Sequence, residues 1–316
     1  MKAAVYEKRG APGVFREVEK PAPKDNEVLV KIYASSVNAL DYRLIRMGLG
    51  IPERRIFGAA IAGRVEEAGK NVRLFRLGDE VFGDIFACGM GGFAEYAAVP
   101  ETMLVRKPSG VSFEDAASLP VAAETALLAL LDKGNIRPGQ RVLIYGAGGG
   151  VGTFAVQLAR LLGAHVTAVC GEGSMEMVRS LGADRVIDYR REDCLKGKDR
   201  YDLILAVNGG RMLLSYRKAL NPGGICIVVG GAMSKIIQAL ATRSILSLGS
   251  KKFCVLSAKT SLDNLSFLAS LVQTGKLRVA IDRRYPLSEA GAAIQYLMKG
   301  HAKGKVIVSI VKEGNS

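Results

Sequence analysis

The chain has 316 residues, 49% of them apolar, and a formal net charge of +14. That length predicts two domains with a core each, and the composition excludes a disordered or low-complexity chain. Five cysteines, an odd number with no CxxC pair, exclude a disulfide framework and a cysteine-rich zinc lobe.

The first third reads as short strands. "KAAVYE", "EVLVKIYASSVN", "AAIAGRVEEAG", "DEVFG" and "GGFAEYAAV" are apolar or alternating runs punctuated by Gly, Pro, Asn and Asp. They predict a partly antiparallel β-domain. The start, "MKAAVYEKRG", lacks an apolar signal core, so a cytoplasmic protein is expected. At Pro120 the texture changes, and "VAAETALLALLDKG" has helical spacing that ends at Gly134. The longest nearly apolar run, Ala116 to Leu131, contains Pro120 and Glu124. It is too short to span a bilayer, and no membrane partner is expected. Glu124 is unusual in an apolar helix and is read as a surface position or, less favoured, a cleft acid.

Strand and helix then alternate. "RVLIYG" is a strand, Gly152 to Gly163 a helix, "HVTAVC" a strand, "SMEMVRSLG" a helix and "RVIDY" a strand. "YDLILAV", the helix "RMLLSYRKAL" and the strand "GICIVVGG" continue the pattern. This predicts an α/β fold with a doubly wound, mostly parallel sheet. Helices over Leu262 to Gln273 and Ser288 to Lys299 and a last strand "GKVIVSIV" close the chain.

Between "RVLIYG" and its helix lies "GAGGGVG". Gly146, Gly149 and Gly152 form GxxGxxG, a variant of the dinucleotide fingerprint. A helix N-terminus offers free N–H groups and a positive dipole end to a pyrophosphate, and bare backbone allows close approach. The strand–helix alternation around the loop makes a ligand-free turn the weaker reading.

With these residues in hand, the chain resembles the zinc-independent quinone oxidoreductase branch of the medium-chain dehydrogenase/reductase superfamily. "GAGGGVGTFAVQLA" is similar to that branch's "GASGGVG" loop, and "EVLVKIYASSVNALDYRL" to its "VNPxD" segment. "AGRVEEAGKNVRLFRLGDEVFG", "GGFAEYAAVP", "AASLPVAAETA" and the stretch from Gly275 to Ile310 follow in family order. The resemblance implies a GroES-like β-barrel domain over 1–116 and 259–316 and a Rossmann domain over 117–258, with the active site in the cleft between them. It also implies a homodimer.

Zinc-dependent members of that superfamily need a cysteine and a histidine in the barrel domain. Here the matching histidine region reads "FGAAIAG", Phe57 to Gly63, and the only histidines are His165 and His301. No catalytic zinc is expected. Hydride transfer is then restricted to acceptors that are already electrophilic, and the resemblance implies quinones and α,β-unsaturated carbonyls as small-molecule substrates. Asn38, Asp41 and Tyr42 are the candidate catalytic residues: an amide to bind ribose or substrate oxygen, and groups to orient it or relay a proton. Ala39 stands where the family has proline. The resemblance adds Thr125, Gly230, Gly231, Phe253 and Lys305 near the cofactor, beside the loop residues Gly146, Ala147, Gly148, Gly149, Gly150, Val151 and Gly152.

The cofactor selector follows the second Rossmann strand. Glu172 lies 20 positions beyond Gly152, where an acid favours the free ribose of NAD(H). Gly171 and Gly173 flank it, with no local cation. Tyr189 matches a family tyrosine near the adenosine phosphate, and Arg190 or Arg191 could supply charge. On the family's habit, NADP(H) is slightly favoured over NAD(H). From Met233 onward there are thirteen Lys/Arg against four Asp/Glu. That asymmetry suits a solvated face, a phosphorylated ligand, nucleic acid or an anionic surface. The enzyme reading therefore has a rival: a nucleotide-binding, weakly catalytic redox sensor or RNA-associated protein, with nucleic acid the less favoured partner.

Overall fold

The computed structural model describes residues 1–7, 13–48, 52–207, 212–231, 233–257 and 259–311, except the side chains of 233, 235 and 236. In chain order it has β1 (Lys2–Val5), β2 (Val14–Glu17), β3 (Glu27–Val37), α1 (Ala39–Met47), β4 (Ala60–Ala68), β5 (Glu80–Asp84), β6 (Tyr96–Pro100), β7 (Leu104–Arg106) and α2 (Phe113–Ser118). Then come α3 (Glu124–Leu128), β8 (Arg141–Tyr145), α4 (Gly150–Leu161), β9 (His165–Cys170), α5 (Met175–Ser180), β10 (Arg185–Asp188) and β11 (Tyr201–Val207). The rest is α6 (Leu213–Ala219), β12 (Leu220–Val229), α7 (Met233–Leu246), β13 (Lys252–Val255), α8 (Leu262–Gln273), β14 (Ile281–Pro286), α9 (Ala290–Met298) and β15 (Lys305–Ser309). The chain divides into two compact units, Met1–Glu124 with Thr260–Ser316, and Thr125–Lys259.

The first unit is built on a sheet ordered β14-β15-β3-β4-β5-β7, with β6 also paired to β3. Its pairings are antiparallel except β14 with β15. The long β3 is the frame: β4, β6 and β15 all bond to it, so residues far apart in sequence meet at its end. One core, with Tyr6, Ile45, Phe57, Phe93, Ile294 and Val306, packs α1 and α9 onto the sheet. Another, with Ile32, Ile61, Val81 and Leu104, fills its other part.

The second unit is a parallel sheet ordered β10-β9-β8-β11-β12-β13. In chain order that is 3-2-1-4-5-6, the dinucleotide-binding arrangement, whose direction reverses between β8 and β11. Covered strands can be apolar throughout, which is why "VLI" in β8 and "LILAV" in β11 are fully buried.

Three helical regions differ from the sequence expectation. The helix read from Val121 begins at Glu124, because Pro120 (φ −56°, ψ 149°) and Val121 (φ 64°, ψ −60°) leave helical geometry after α2. Proline has no N–H to continue the ladder, and a positive φ in a β-branched residue is a strained state. Helices α1 and α7 were not foreseen; both follow stretches read only as strand ends.

Candidate active site

In the first unit, β3 runs directly into α1, and Asn38 is the N-cap between them. The Asn38 N–H donates to Asp41 Oδ2 at 2.7 Å, closing the first turn of the helix. The Asn38 side chain is committed on both ends. Its Nδ2 donates to the Ser36 carbonyl at 2.9 Å, and its Oδ1 accepts from Lys305 Nζ at 2.7 Å. Lys305 opens β15, which lies beside β3 in the sheet, so strand pairing brings together two residues 267 positions apart.

This cluster is dry. Asp41 is fully buried, Lys305 is 2% exposed and Asn38 5% exposed. Burial pushes the Asp41 carboxyl up to about 6, against the Asn38 N–H, the Lys305 charge and the nearby N–H groups of Gly58 and Ala59. Asp41 Oδ1 has no well-formed hydrogen bond. Burial pulls the Lys305 ammonium down to about 7, opposed by Asp41. Two groups that titrate near neutrality therefore share one buried pocket of polarity. Tyr6 packs edge-on to Phe57 at 5.2 Å with its hydroxyl unpaired, and burial and then Asp41 raise its pKa. Tyr42, next to Asp41, is half-buried against the apolar core of this unit. Lys305, expected beside the cofactor, donates to Asn38.

A second acidic cluster lies in the same unit. Glu124 is 2% exposed, so the surface expectation gives way to a buried acid. Its Oε1 accepts from the Ser261 N–H at 2.5 Å, and Asp84 Oδ2 accepts from Thr260 Oγ1 at 3.0 Å. Burial first, then the neighbouring Asp84, raises Glu124 to about 7. No local pattern signals this cluster, because Asp84, Glu124 and Thr260 meet only through folding.

In the second unit, the loop from Gly146 to Gly149 leaves β8 at the point where strand order reverses, and α4 starts at Gly150. Gly146 has φ 89°, and a Cβ there would lie 2.6 Å from the Val207 carbonyl oxygen. A Cβ on Gly152 would lie 2.3 Å from the Gly146 oxygen. These two positions must be glycine for the loop to close. The N–H groups of Gly146 and Ala147 bond the Val169 carbonyl, anchoring the loop to β9. The first-turn N–H groups of α4, including Gly150, Val151 and Gly152, have no acceptor within the helix. They form a cradle fitted to a pyrophosphate.

Beside the cradle, Gly148 packs close to Ser174, and Gly171 faces the Tyr189 ring. Glu172 is paired with Arg191 at 2.6 Å, both largely exposed, and the Arg190 guanidinium lies 5.6 Å from the Tyr189 ring centre. The cation absent from the turn after β9 thus arrives from the end of β10. Gly230 (φ 64°) and Gly231 (φ 114°) end β12 in conformations that suit glycine. Thr125 is half-buried in α3. Phe253 is 7% exposed, in one core cluster with Cys226 and Tyr216. The "NGG" after β11 lies outside the described residues. Among the described residues no group of three or more His, Cys, Asp or Glu is placed to hold a metal ion.

Two family models match the chain: an alcohol dehydrogenase GroES-like domain over residues 24–109 and a zinc-binding dehydrogenase domain over residues 181–308. The chain is 36% identical to a chloroplast envelope quinone oxidoreductase homolog of Arabidopsis thaliana, covering 95% of this chain and 94% of that one. It is 33% identical to a 2-methylene-furan-3-one reductase of Solanum lycopersicum, covering 98% and 79%. Among solved structures, the quinone oxidoreductase from Coxiella burnetii superposes with a TM-score of 0.91 at 29% identity, covering 98% and 99%.

Proposed function

This chain belongs to the quinone oxidoreductase branch of the medium-chain dehydrogenase/reductase superfamily, and from that premise we propose that it reduces quinones or α,β-unsaturated carbonyls with NAD(P)H. The observation that carries this reading is the Gly146–Gly152 loop, where Cβ atoms would collide and a helix N-terminus is presented at the switch point of the sheet. The cofactor, when bound, supplies a hydride. Gly146 to Gly152 hold its pyrophosphate; Gly171, Tyr189 and the Glu172–Arg191 pair border its adenosine end. Thr125, Gly230 and Gly231 serve the nicotinamide end.

In the first unit, Lys305 and the Ser36 carbonyl fix the Asn38 side-chain amide, Asp41 holds the Asn38 backbone N–H, and Asp41 favours a proton on Lys305 Nζ. Tyr42 keeps partial exposure and carries the hydroxyl proton that the reduced acceptor needs. The chemistry proceeds without zinc, a reading supported by the donor set: among the described residues neither histidine is part of a ligand cluster. All five cysteines are free thiols, which supports a reducing compartment, with the cytoplasm proposed. A homodimer completes the reading.

NADP(H) is favoured, through Arg190 and Arg191, while Glu172 opposes it. A panel of quinones and enones with NADPH and NADH, followed by cofactor absorbance, tests the function. Turnover with NADPH is expected. No turnover with either cofactor, alongside tight RNA binding, would establish the rival non-enzymatic reading. A clear preference for NADH would assign Glu172 to the ribose hydroxyls.

A further inference from the structure

In the first unit the ends of β14 and β15 run side by side, with Pro286 opposite Ser309, and α2 packs on β15 and β3. Together with the β1–β2 hairpin they enclose a cleft of about 820 Å³, a size suited to a small ligand. None of Asn38, Asp41, Tyr42 and Lys305 lines it, so it is separate from the candidate active site. Much of its wall is apolar, with Phe15, Phe113, Leu287, Ile310 and Val311 on it.

The charged groups on the wall are unequally committed. Glu114 is occupied on both oxygens: Oε1 accepts from Ser309 Oγ at 2.8 Å and Oε2 from Arg284 Nε at 2.6 Å. Glu95 Oε2 accepts the Lys2 backbone N–H at 2.7 Å. Both cations keep free donors. The terminal nitrogens of Arg284 have no hydrogen bond among the described residues, and Glu114 holds the guanidinium only at Nε. The Lys2 ammonium lies 5.9 Å from the Phe15 ring centre and makes no ion pair among the described residues. The deeper rings are already covered. Tyr33 and Phe113 stack with centres 4.3 Å apart, which leaves one face of each. Lys107 Nζ lies over Phe113 at 5.0 Å and the Arg64 guanidinium over Tyr33 at 5.6 Å.

We infer that this cleft binds a fatty acid, with the carboxylate on Arg284 and Lys2 and the aliphatic chain along the apolar wall. The free end of the guanidinium matches a planar carboxylate. A phosphate would bring a second negative charge towards Glu95 and Glu114. A cationic ligand would meet two cations with no acceptor left on Glu114. A flat aromatic body finds no open face on Tyr33 or Phe113 to stack on, whereas an alkyl chain needs only apolar area to cover. The inference is independent of the acceptor the protein reduces and of its cofactor.

The test is calorimetric titration of the full chain with decanoate, and with decan-1-ol as its uncharged analogue. One decanoate per chain is expected, bound about ten-fold or more tighter than the alcohol. Arg284→Met should weaken decanoate about ten-fold, with little effect on the alcohol. Phe15→Ser, at a half-exposed wall position, should weaken both ligands about three-fold or more. Unchanged melting temperatures verify that both variants fold. The inference is overturned if decanoate does not bind, if it binds no tighter than decan-1-ol, or if Arg284→Met binds it as the wild type does. Tighter binding of 2-naphthoate than of decanoate would overturn the aliphatic body. Displacement of decanoate by NADPH would move it to the cofactor site. A wild-type dimer that decanoate dissolves in light scattering would assign the cleft to self-association, and either result overturns the inference.

Discussion

Asn38, Asp41 and Lys305 show what a single residue can and cannot reveal. The Asn-x-x-Asp spacing was legible as a motif, and it is also the capping box that starts α1. Lys305 was legible only as a family position, because its bond to Asn38 is made by strand pairing. Asn38→Ala removes the acceptor of a buried ammonium and should cost about 2–3 kcal/mol of stability in urea unfolding. The Lys305 pKa of about 7 lies below its ordinary 10.5, so above pH 7 the folded state binds fewer protons than the unfolded one. Wild-type stability from this group should rise between those pH values, and in Lys305→Met that rise should vanish, as read from urea midpoints at pH 7 and 9. Gly152→Ala places a methyl against the Gly146 carbonyl. It should weaken NADPH binding at least about ten-fold in a fluorescence titration, since the cradle must open by more than a hydrogen-bond length can tolerate. Full affinity in this variant would remove the loop from the cofactor site.

At the scale of elements, the strands were the readable part. Apolar runs bounded by glycine and proline became β3, β8, β11 and β12, and Leu262–Gln273 was read with the bounds α8 has. The helices that were missed lie where local signals conflict. Helix α1 has a β-rich sequence immediately before its cap, and α7 carries two apolar stripes instead of one. Glu124 belongs to this scale because its carboxylate holds the N–H of Ser261, the N-cap of α8. Its pKa of about 7 exceeds the ordinary 4.5, so the folded state retains a proton the unfolded state gives up. Stability from this group is present below pH 4.5 and falls as pH rises to 7. Glu124→Gln keeps an oxygen for Ser261 and should stabilise the protein at pH 8 by about 1–3 kcal/mol, with little gain at pH 5. Urea unfolding at both pH values checks it; an equal gain at both would mean Glu124 is charged throughout.

At the scale of the molecule, two units with separate cores respond differently to a ligand that binds one of them. NADPH at about one hundred times its Kd should add about 2.7 kcal/mol to the unit that binds it. Hydrogen exchange should slow at β8, the glycine loop and α4, with the core of β3 and β15 less affected. Protection confined to the first unit would contradict the cofactor assignment.

By itself the sequence determined the order of strands and helices, the glycine loop and the family, because periodicity and turn chemistry act over a few residues. Only the tertiary structure decided which polar groups are buried together. Asn38 with Lys305 and Glu124 with Ser261 are each joined across long separations. Burial sets the charge states of Lys305 and Glu124, and it arises from packing between distant segments, which no local window contains.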